Sequence, residues 1–389
     1  MAKKKTAVSD KRIRVLHVAE AAGGVDRYLK TLFKYIDRTK IETFFICSQN
    51  YCVDEYIKIA DHVEQIQMAH DISVKKDLES IKNLRRLIKE YSPDIIYAHS
   101  SKAGALARMA DMWIPNVVLY NPHGWAFNMR CGEKKKLLYR LVERMQAPFT
   151  DKIVCISEAE KNTALQSHIC AEKKMQVIYN GIDLEEGECD KKLTRSDIGI
   201  PDEAFVIGMV GRIAEQKAPD IFVKMSSMIK EKIPEAFFII VGDGTGQNQD
   251  EKNKVVTMIE ESGLKDSFII TGWVESPLQY IRLFNVGVLL SRWEGFGLVI
   301  PEYMICNVPV VATNVDAIPN IIEDGVNGLL VSADDASAAA DSVMRIYHDV
   351  LLCKKLTANG KRIVERKFDG KRLGRETTQL FLDCICNRG

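Results

Sequence analysis

Short apolar runs alternate with longer amphipathic stretches over the first half of the chain. The runs are rich in β-branched or aromatic residues, which predicts strands; they are Arg14–Ala19, Phe44–Cys47, Ile95–Ala98, Val117–Tyr120 and Ile153–Ile156. The stretches between them repeat apolar residues at helical spacing; they include Tyr28–Tyr35, Leu78–Tyr91 and Lys134–Met145. Strands that alternate with helices predict a parallel sheet with crossover helices.

The same pattern starts again in the second half. Its predicted strands are Phe205–Val210, Ala236–Val241, Phe268–Thr271, Val286–Leu290, Val308–Ala312 and Gly328–Val331. A charged segment poor in apolar residues, Asp183–Ser196, is interpreted as a linker. We therefore expect an α/β protein of two doubly wound, Rossmann-like domains that face each other across a cleft, residues 1–190 and 191–370. Residues 371–389, with a helix at Lys371–Cys386, are expected to pack back toward the first domain.

The charge is unevenly divided between the two parts of the chain. Residues 1–150 carry 26 Lys and Arg against 17 Asp and Glu, a net charge of +9, whereas residues 151–389 carry 28 against 36, a net charge of −8. A basic first part suggests an anionic partner, such as nucleic acid, a membrane surface or a phosphorylated substrate. No basic strand interleaved with aromatic residues and no recognition helix is visible, so nucleic acid is not expected.

Other sequence features predict a cytoplasmic protein. No apolar run approaches the roughly 18 residues of a membrane-spanning helix, and the first ten residues are basic and polar, unlike a secretory signal. The ten cysteines lack the spacing of a zinc site, so free thiols in a reducing compartment are the simplest interpretation.

Two glycine-rich segments follow predicted strands. Gly23 and Gly24 precede a helix, where backbone amides could bind phosphate or where the turn could need glycine for steric reasons alone; the residues leave both open. The second segment, Val241–Gly246, has Gln247 where a dinucleotide fingerprint needs its third glycine. A dehydrogenase is therefore not expected, and a tight turn near the cleft is the favoured interpretation.

Charged residues follow two strands of the second domain. Arg212 and Lys217 come just after the first strand, where they can bind phosphate oxygens. Glu294 and Glu302 lie on either side of a predicted helix start near Leu298. Both carboxylates can accept hydrogen bonds from sugar or ribose hydroxyls, or they can serve as a cap and as a helix N-terminal charge.

These motifs together resemble those of family-4 glycosyltransferases, retaining enzymes of the GT-B fold that include bacterial capsular and exopolysaccharide glycosyltransferases. The resemblance starts from Gly211-Arg212 with Lys217 and from the spacing Glu294-x7-Glu302 with Gly-Phe-Gly inside it. Further matching segments are Gly23-Gly24, Pro122-His123-Gly124, Ser157-Glu158, Tyr179–Asp183, Gly242–Gly244, Thr271–Val274 and Pro309–Thr313. Asn307 departs from the family, which usually has glycine there; we interpret this as a packing position with little effect on activity.

The resemblance implies that the first domain binds the acceptor and the second binds a nucleotide-sugar donor. Arg212 and Lys217 would hold the donor diphosphate as leaving group, Glu294 the donor-sugar hydroxyls and Glu302 the ribose. With His123, which would lie near the transferred sugar, Arg212, Lys217 and Glu294 form the implied catalytic set. The implied donor contacts are Gly23, Gly24, Arg212, Lys217, Trp273, Val274, Glu294, Gly295, Phe296, Gly297, Leu298 and Glu302.

The resemblance also implies an acceptor. The segments Tyr97–Lys102 and Pro122–Trp125 resemble those of transferases that extend a sugar carried on a polyprenyl diphosphate. His99, Ser101, Lys102 and His123 would bind this acceptor, although Lys102 could instead cap a helix start. The donor stays open among UDP-hexoses, UDP-N-acetylhexosamines and dTDP-rhamnose. The motifs of the second domain resemble most those of capsular rhamnosyl- or hexosyltransferases.

No Asp-x-Asp loop is placed to hold a divalent metal, and no other cofactor is expected. The leaving diphosphate would then be stabilised by Arg212, Lys217 and backbone amides, and retention would resemble the family's front-face substitution. A UDP-sugar epimerase of the same fold and a non-catalytic sugar-nucleotide-binding relative are the alternatives. Against both stands the combination of the two cations with Glu294 and Glu302.

The predicted helix Lys134–Met145 combines cations with leucines. Lysines and arginines alternate along it with Leu137, Leu138, Leu141 and Met145. Such a basic amphipathic helix could lie on an anionic membrane, which would make the protein peripheral at the inner face of the plasma membrane. Alternatively, the apolar residues form a stripe that faces the core and the cations are solvated.

Overall fold

The computed structural model describes residues 11–69, 71, 73–129, 132–185, 193–244 and 248–388. Half of the predicted linker, residues 186–192, and residues 245–247 at the end of the second glycine-rich segment lie outside the described residues. The first ten residues, on which the expectation about a secretory signal depends, also lie outside them.

Strands and helices alternate along the described chain. The strands are β1 Ile13–Ala19, β2 Ile41–Cys47, β3 His62–Gln65, β4 Ile95–His99, β5 Val117–Asn121, β6 Lys152–Cys155, β7 Met175–Val177, β8 Phe205–Val210, β9 Ala236–Val241, β10 Phe268–Ile270, β11 Val286–Leu289, β12 Val310–Thr313 and β13 Leu329–Val331. The α-helices are α1 Gly24–Tyr35, α2 Val53–Tyr56, α3 Val74–Tyr91, α4 Ser101–Asp111, α5 Glu133–Gln146, α6 Glu158–Gln166, α7 Pro219–Lys232, α8 Gln249–Glu261, α9 Pro277–Ile281, α10 Val299–Ile305, α11 Ala336–His348, α12 Val350–Lys367 and α13 Gly370–Cys386.

The strands form two parallel sheets, which confirms the predicted fold class. The first sheet has the order β3-β2-β1-β4-β5-β6-β7 and the second the order β10-β9-β8-β11-β12-β13. In each sheet the strand order reverses beside the first strand, between β1 and β4 and between β8 and β11. Doubly wound sheets bind ligands outside the carboxyl ends of the strands at this switch point. Each sheet therefore offers one site, formed by the loops that follow its two central strands.

The apolar runs in the sequence all form strands; β8 and β9 have the predicted ends, and the ends of the other strands differ by at most three residues. Two strands of the first sheet, β3 and β7, were not predicted. They are the two edge strands of that sheet, and they are only four and three residues long. Strand β3 has no buried residue. Neither produces an apolar run, because an edge strand packs few of its side chains into a core.

Helix α13 packs against the first domain. Leu373, Leu380 and Phe381 are buried in the same apolar cluster as β1 and α1. A Cβ on Gly374 would lie 2.2 Å from the backbone oxygen of Tyr35, so the close approach of α13 to α1 depends on this glycine. Before α13, the backbone of residue 182 exchanges hydrogen bonds with that of residues 368 and 370. The two segments that connect the sheets thus run side by side.

Candidate active site

Two loops at the switch point of the second sheet are fastened together by Arg292. Its backbone N–H donates to the carbonyl oxygen of Gln216 at 2.8 Å, and its guanidinium donates to the carbonyl oxygen of Glu215 at 2.8 Å. The same guanidinium forms ion pairs with Asp220 at 2.8 Å and with Asp334 at 2.6 Å. The loop after β8 is therefore held against the loop after β11. These are the two loops in which the sequence predicts the donor site.

Lys217 and Glu294 form an ion pair between these two loops. Their side chains are 15% and 10% exposed, and the Lys217 ammonium donates to Glu294 Oε2. Ser291 Oγ donates to the same oxygen at 3.2 Å, and the backbone N–H of Glu294 donates to Asp316 at 2.8 Å. Two of the predicted catalytic side chains are thus in contact with each other.

The other predicted donor contacts differ in exposure. Arg212 is exposed and lies 3.4 Å from Gln216 Oε1, so its guanidinium is accessible to an anionic ligand. Trp273 is 80% exposed beyond the end of β10. Phe296 is 3% exposed and packs in the core of the second domain, so a ligand would meet its backbone rather than its ring. Val274 is part-buried at the edge of the same core.

The glycines of the predicted donor loops allow close backbone approaches. Gly242 has φ +149°, and a Cβ there would lie 2.0 Å from the carbonyl oxygen of Gly211, so the loops after β8 and β9 pack backbone to backbone. The tight turn favoured for the second glycine-rich segment is therefore enough to explain the glycine at position 242, without a contact to a phosphate. Gly23, with φ +82°, is the N-cap of α1, and a Cβ on Gly23 or Gly24 would meet nothing within 4 Å.

Glu302 forms an ion pair that crosses from one domain to the other. Its carboxylate is buried in α10, and Arg27 of α1 lies 2.8 Å from its Oε1. Arg27 follows the Gly23-Gly24 turn by one helical turn. The residue that the resemblance assigns to the donor ribose is thus held by a cation of the first domain.

The two domains also approach each other at glycines. A Cβ on Gly295 would lie 3.2 Å from the carbonyl oxygen of His123 and 3.3 Å from the Cα of Gly124. A further hydrogen bond, from the backbone N–H of Ala159 to Asn320 Oδ1 at 3.0 Å, joins α6 to the second domain. The predicted acceptor loop and the predicted donor loop are therefore neighbours in the folded protein.

His123 is the outer member of a chain of three imidazoles. Its Nε2 lies 3.1 Å from His99 Nδ1, and His99 Nε2 lies 3.1 Å from His17 Nδ1. Burial lowers the pKa of His17 and of His123 to about 3, and it lowers the pKa of His99 as well. Each contact needs one N–H and one bare nitrogen, which neutral rings supply. His123 has φ +51°, a conformation uncommon outside glycine, so the loop holds its ring in place at some conformational cost.

Glu160 fixes the loop that holds His123 by accepting backbone hydrogen bonds. Its carboxylate accepts the backbone N–H of Gly124 at 2.6 Å and that of Ile156 at 2.7 Å. Burial raises the pKa of Glu160 to about 7, against the lowering effect of these two hydrogen bonds. Sequence analysis did not single out Glu160, although Ser157 and Glu160 have the spacing of a helix capping box, and Ser157 Oγ does accept the Glu160 N–H at 3.1 Å.

The predicted acceptor residues are not equally accessible. His99 has no exposed surface, since it lies behind His123 at the end of β4; contact between His99 and an acceptor would have to pass through His123. Ser101 is part-buried, with Tyr120 3.4 Å from its hydroxyl. Lys102 forms an ion pair with Asp77 at 2.7 Å.

Helix α5 exposes its leucines. Leu137, Leu138, Leu141 and Met145 are between 44% and 72% exposed, whereas Glu143 on the inner face is buried in an ion pair with Arg108 at 3.0 Å. The alternative that these apolar residues form a stripe facing the core is therefore wrong. An exposed apolar row flanked by cations on one helix is unusual for a surface that meets only water.

Two family models match the chain and together cover most of it. Residues 22–186 match Glycosyltransferase Family 4, and residues 190–363 match Glycosyl transferases group 1. The chain therefore belongs to these glycosyltransferases, and its two sheets are the two domains of the GT-B fold. It is an enzyme of the transferase class rather than an epimerase or a non-catalytic relative.

Curated relatives and solved structures agree with this assignment. The chain is 28% identical to UDP-Gal:alpha-D-GlcNAc-diphosphoundecaprenol alpha-1,3-galactosyltransferase of Escherichia coli, over 97% of this chain and 98% of the relative. It is 24% identical to the capsular polysaccharide biosynthesis glycosyltransferase CapM of Staphylococcus aureus, over 95% and 97%. The structure of Anabaena HepE in complex with UDP-glucose superposes with a TM-score of 0.80 at 20% identity, over 96% of this chain and all of that one.

The described part of the chain holds neither a cluster of metal ligands nor a helix that could span a membrane. Within residues 11–388 and outside the gaps given above, no three His, Cys, Asp or Glu side chains are grouped so that they could hold a metal ion. None of the helices described is both long enough and apolar enough to cross a membrane.

Proposed function

We propose that this enzyme is a retaining, metal-independent glycosyltransferase that moves a hexosyl unit from a UDP-sugar to a sugar carried on a polyprenyl diphosphate, in capsule or exopolysaccharide synthesis. The observation that carries the proposal is the close approach, at Gly295, of the loop that holds Glu294 and its partner Lys217 to the His123 loop of the other domain. The E. coli relative, by its name, uses a UDP-sugar and a diphosphate-linked acceptor. A deoxyhexosyl transfer from dTDP-rhamnose is the second candidate.

The donor diphosphate binds between Arg212 and Lys217. In the free enzyme Lys217 is neutralised by Glu294; in the complex it turns to the diphosphate, and Glu294 accepts hydrogen bonds from the donor sugar. Cations fixed in advance stabilise the charge that develops on the leaving diphosphate, so no metal ion is needed. Arg292 contributes indirectly, since it holds both loops in place.

Retention follows from a front-face substitution. The acceptor hydroxyl attacks from the same side as the leaving diphosphate departs, and a leaving oxygen takes its proton. Neutral His123 lies at the first-domain wall of the cleft and orients the transferred sugar by hydrogen bonding. Closure of the domains around the reacting groups excludes water, which would otherwise hydrolyse the donor.

A donor screen tests the proposal. Release of nucleoside diphosphate from UDP-, GDP-, dTDP- and ADP-sugars is measured with sugars linked to alkyl diphosphates as acceptors, with and without EDTA, and the anomeric configuration of the product is determined by NMR. We expect a UDP-sugar to be used, with unchanged turnover in EDTA and a retained anomer.

Arg212→Ala and Lys217→Ala should each lower turnover in this assay by about 10² to 10³. Loss of activity in EDTA that Mg²⁺ or Mn²⁺ restores, or an inverted product, would contradict the mechanism.

The lipid-linked acceptor also implies a peripheral membrane position, which α5 supports. Its exposed leucine row would enter the interface of an anionic bilayer, while neighbouring lysines approach the headgroups. Sedimentation with vesicles containing phosphatidylglycerol tests this. Leu137→Ser with Leu141→Ser should abolish co-sedimentation, whereas Val350→Ser with Leu351→Ser, an exposed apolar pair of the second domain, should leave it unchanged. Equal binding of the two variants would exclude α5 as the membrane contact.

A further inference from the structure

A polar cavity lies between α5, α6 and the second domain, beside the candidate active site. It is open to solvent on one side, and its volume is about 360 Å³. Lys136 and Arg140 line it from α5, Thr163 and Gln166 line it from α6, and Asp316 lines it from the second domain. Lys136 and Arg140 belong to the predicted basic helix that could lie on an anionic membrane, but the sequence assigns no donor or acceptor contact to any residue of this cavity.

The cations of this cavity occupy an unexpected face of α5. Lys136 and Arg140 are one turn apart and part-buried, whereas the leucines of the same helix are exposed. The Arg140 guanidinium lies over the ring of Phe127, 5.6 Å from its centroid, and within the described part of the chain its buried Nε has no hydrogen-bond partner. Lys136 contacts Glu133 at 2.9 Å, but Glu133 is largely exposed and so screened by water. Two part-buried cations, one of which keeps an N–H without a hydrogen-bond acceptor among the described residues, point to an anionic ligand.

The cavity carries opposite charge toward the active site. Asp316 accepts the backbone N–H of Glu294 at 2.8 Å, so this side of the cavity adjoins the predicted donor-sugar position. On its first-domain side, Phe127 follows the His123-Gly124 loop by a few residues. A ligand with an anionic end at Lys136 and Arg140 would therefore present its other, hydroxyl-bearing end to Asp316, which adjoins the backbone of Glu294.

We propose that this cavity binds the diphosphate of a lipid-linked acceptor, with the acceptor sugar directed to Asp316 and the lipid leaving along the exposed leucines of α5. The inference rests on the proposed function and adds to it a diphosphate subsite that is separate from Arg212 and Lys217. Arginine and lysine together suit a diphosphate, since arginine binds phosphate oxygens bidentately and lysine acts as a point charge.

Calorimetric titration tests the subsite directly. Undecyl diphosphate is titrated into enzyme already saturated with the nucleoside diphosphate that the donor screen selects, so that Arg212 and Lys217 are occupied. We expect Lys136→Gln with Arg140→Gln to weaken binding of the alkyl diphosphate about 10²-fold or more, since each charge-assisted contact is worth roughly a factor of ten. The matched control, Lys82→Gln with Arg86→Gln, removes two exposed cations one turn apart on α3 and should change binding less than threefold.

Transfer assays separate this inference from the proposed function. The double variant should lose transfer to a diphosphate-linked sugar through a raised KM, while transfer to the alkyl glycoside of the same sugar and affinity for the nucleoside diphosphate should stay at the wild-type level. Melting temperature and slow donor hydrolysis monitor folding. Wild-type enzyme that uses glycosides but no diphosphate-linked sugar would overturn the proposed acceptor and this inference with it. Wild-type enzyme that uses the diphosphate acceptor, with the double variant indistinguishable from the control variant, would overturn the inference alone.

Discussion

At the scale of single residues, backbone hydrogen bonds from distant segments fix the charged loop that holds Glu294 and the loop that holds His123. Arg212, Lys217 and Glu294 stand directly after strands, where the switch-point rule directs attention. Asp316 and Glu160 are also charged and close to the site, but they act through backbone hydrogen bonds to Glu294 and to the His123 loop. Such contacts depend on how distant segments meet, which no local spacing reveals.

Asn307 was interpreted as a packing position, and the structure gives a different reason for its identity. The residue has φ +57° at the turn that follows α10. This left-handed conformation costs a residue with a branched side chain about 1–2 kcal/mol, whereas glycine and, to a lesser degree, asparagine tolerate it. The glycine usual in relatives and the asparagine here therefore satisfy one backbone requirement.

Substitution of Asn307 tests this explanation. Asn307→Gly should keep or slightly raise the free energy of unfolding, and Asn307→Val should lower it by about 1–2 kcal/mol. Urea denaturation of the three proteins measures both changes. If valine were tolerated as well as glycine, the conformation would not be the constraint on this position.

The two glutamates should divide the donor between them. Glu302→Gln should weaken both the sugar nucleotide and the free nucleoside diphosphate, since ribose is common to both. Glu294→Gln should chiefly impair sugar transfer and leave nucleoside diphosphate affinity nearly intact. A charge-assisted hydrogen bond to a hydroxyl is worth about 1.5–3 kcal/mol, so calorimetric titration with the nucleoside diphosphate resolves the difference. Equal weakening in both variants would make the pair a single ribose clamp or a structural element.

At the scale of elements, the apolar core strands were predictable because burial on both faces produces continuous apolar runs. Strands β3 and β7 were not predicted, because both strands are short and β3 has no buried residue. Helix α5 was recognised as amphipathic, yet its orientation was not, because periodicity defines an apolar face without saying what covers it. The buried ion pair of Arg108 with Glu143 turns the polar face inward. That pair joins two helices and is invisible in either one alone.

The imidazole chain on β1, on β4 and in the loop after β5 should make the first domain sensitive to acid. His17 and His123 have folded-state pKa values of about 3, below the ordinary 6.5, so the unfolded chain binds protons that the folded chain excludes. Stability from these groups is complete above pH 6.5 and is lost as pH falls toward 3, by up to about 1.4 kcal/mol per pH unit for each ring. Glu160, whose pKa is raised to about 7, acts in the opposite direction between about pH 4.5 and 7.

A variant isolates the contribution of one ring. His17→Gln removes one titrating group and leaves Glu160 in place, so the slope of unfolding free energy against pH between 6 and 4.5 should fall by roughly 1.4 kcal/mol per unit. Urea titrations at three pH values give the slope, which is independent of any constant loss of stability from the substitution. His62→Gln, which alters an exposed histidine, serves as control. An unchanged slope in His17→Gln would mean that His17 is not kept neutral by the fold.

At the scale of the whole molecule, the sequence predicted two domains and a last helix that packs toward the first of them, but it did not show which contacts join the domains. Helix α13 returns to the first domain because Gly374 lets it approach α1 and because its apolar residues complete that core. Residues 182 and 368–370 pair where the chain crosses between the sheets. The two crossings side by side form a narrow connection, so relative movement of the domains is limited mainly by contacts across the cleft.

The ion pair of Arg27 with Glu302 is one of these contacts, and we expect it to compete with the donor. Glu302 is the expected ribose ligand, yet in the free protein Arg27 occupies its Oε1. A nucleoside diphosphate must therefore displace the guanidinium before ribose hydroxyls can bind. Since Arg27 is about a third exposed, the displaced interaction is worth about 1 kcal/mol.

Arg27→Met should consequently tighten nucleoside diphosphate binding about fivefold, the equivalent of 1 kcal/mol. Lys30→Met is the matched control, because Lys30 lies one turn further along α1 and pairs with Asp26 and Glu55 of its own domain; its affinity should equal that of the wild type. Calorimetric titration of both variants measures the effect, and Arg27→Met combined with Glu302→Gln should show no gain from the arginine change. If Arg27→Met weakened binding instead, Arg27 would be a ligand of the nucleotide. Arg27 would then leave Glu302 and bind the donor diphosphate, rather than compete with the donor.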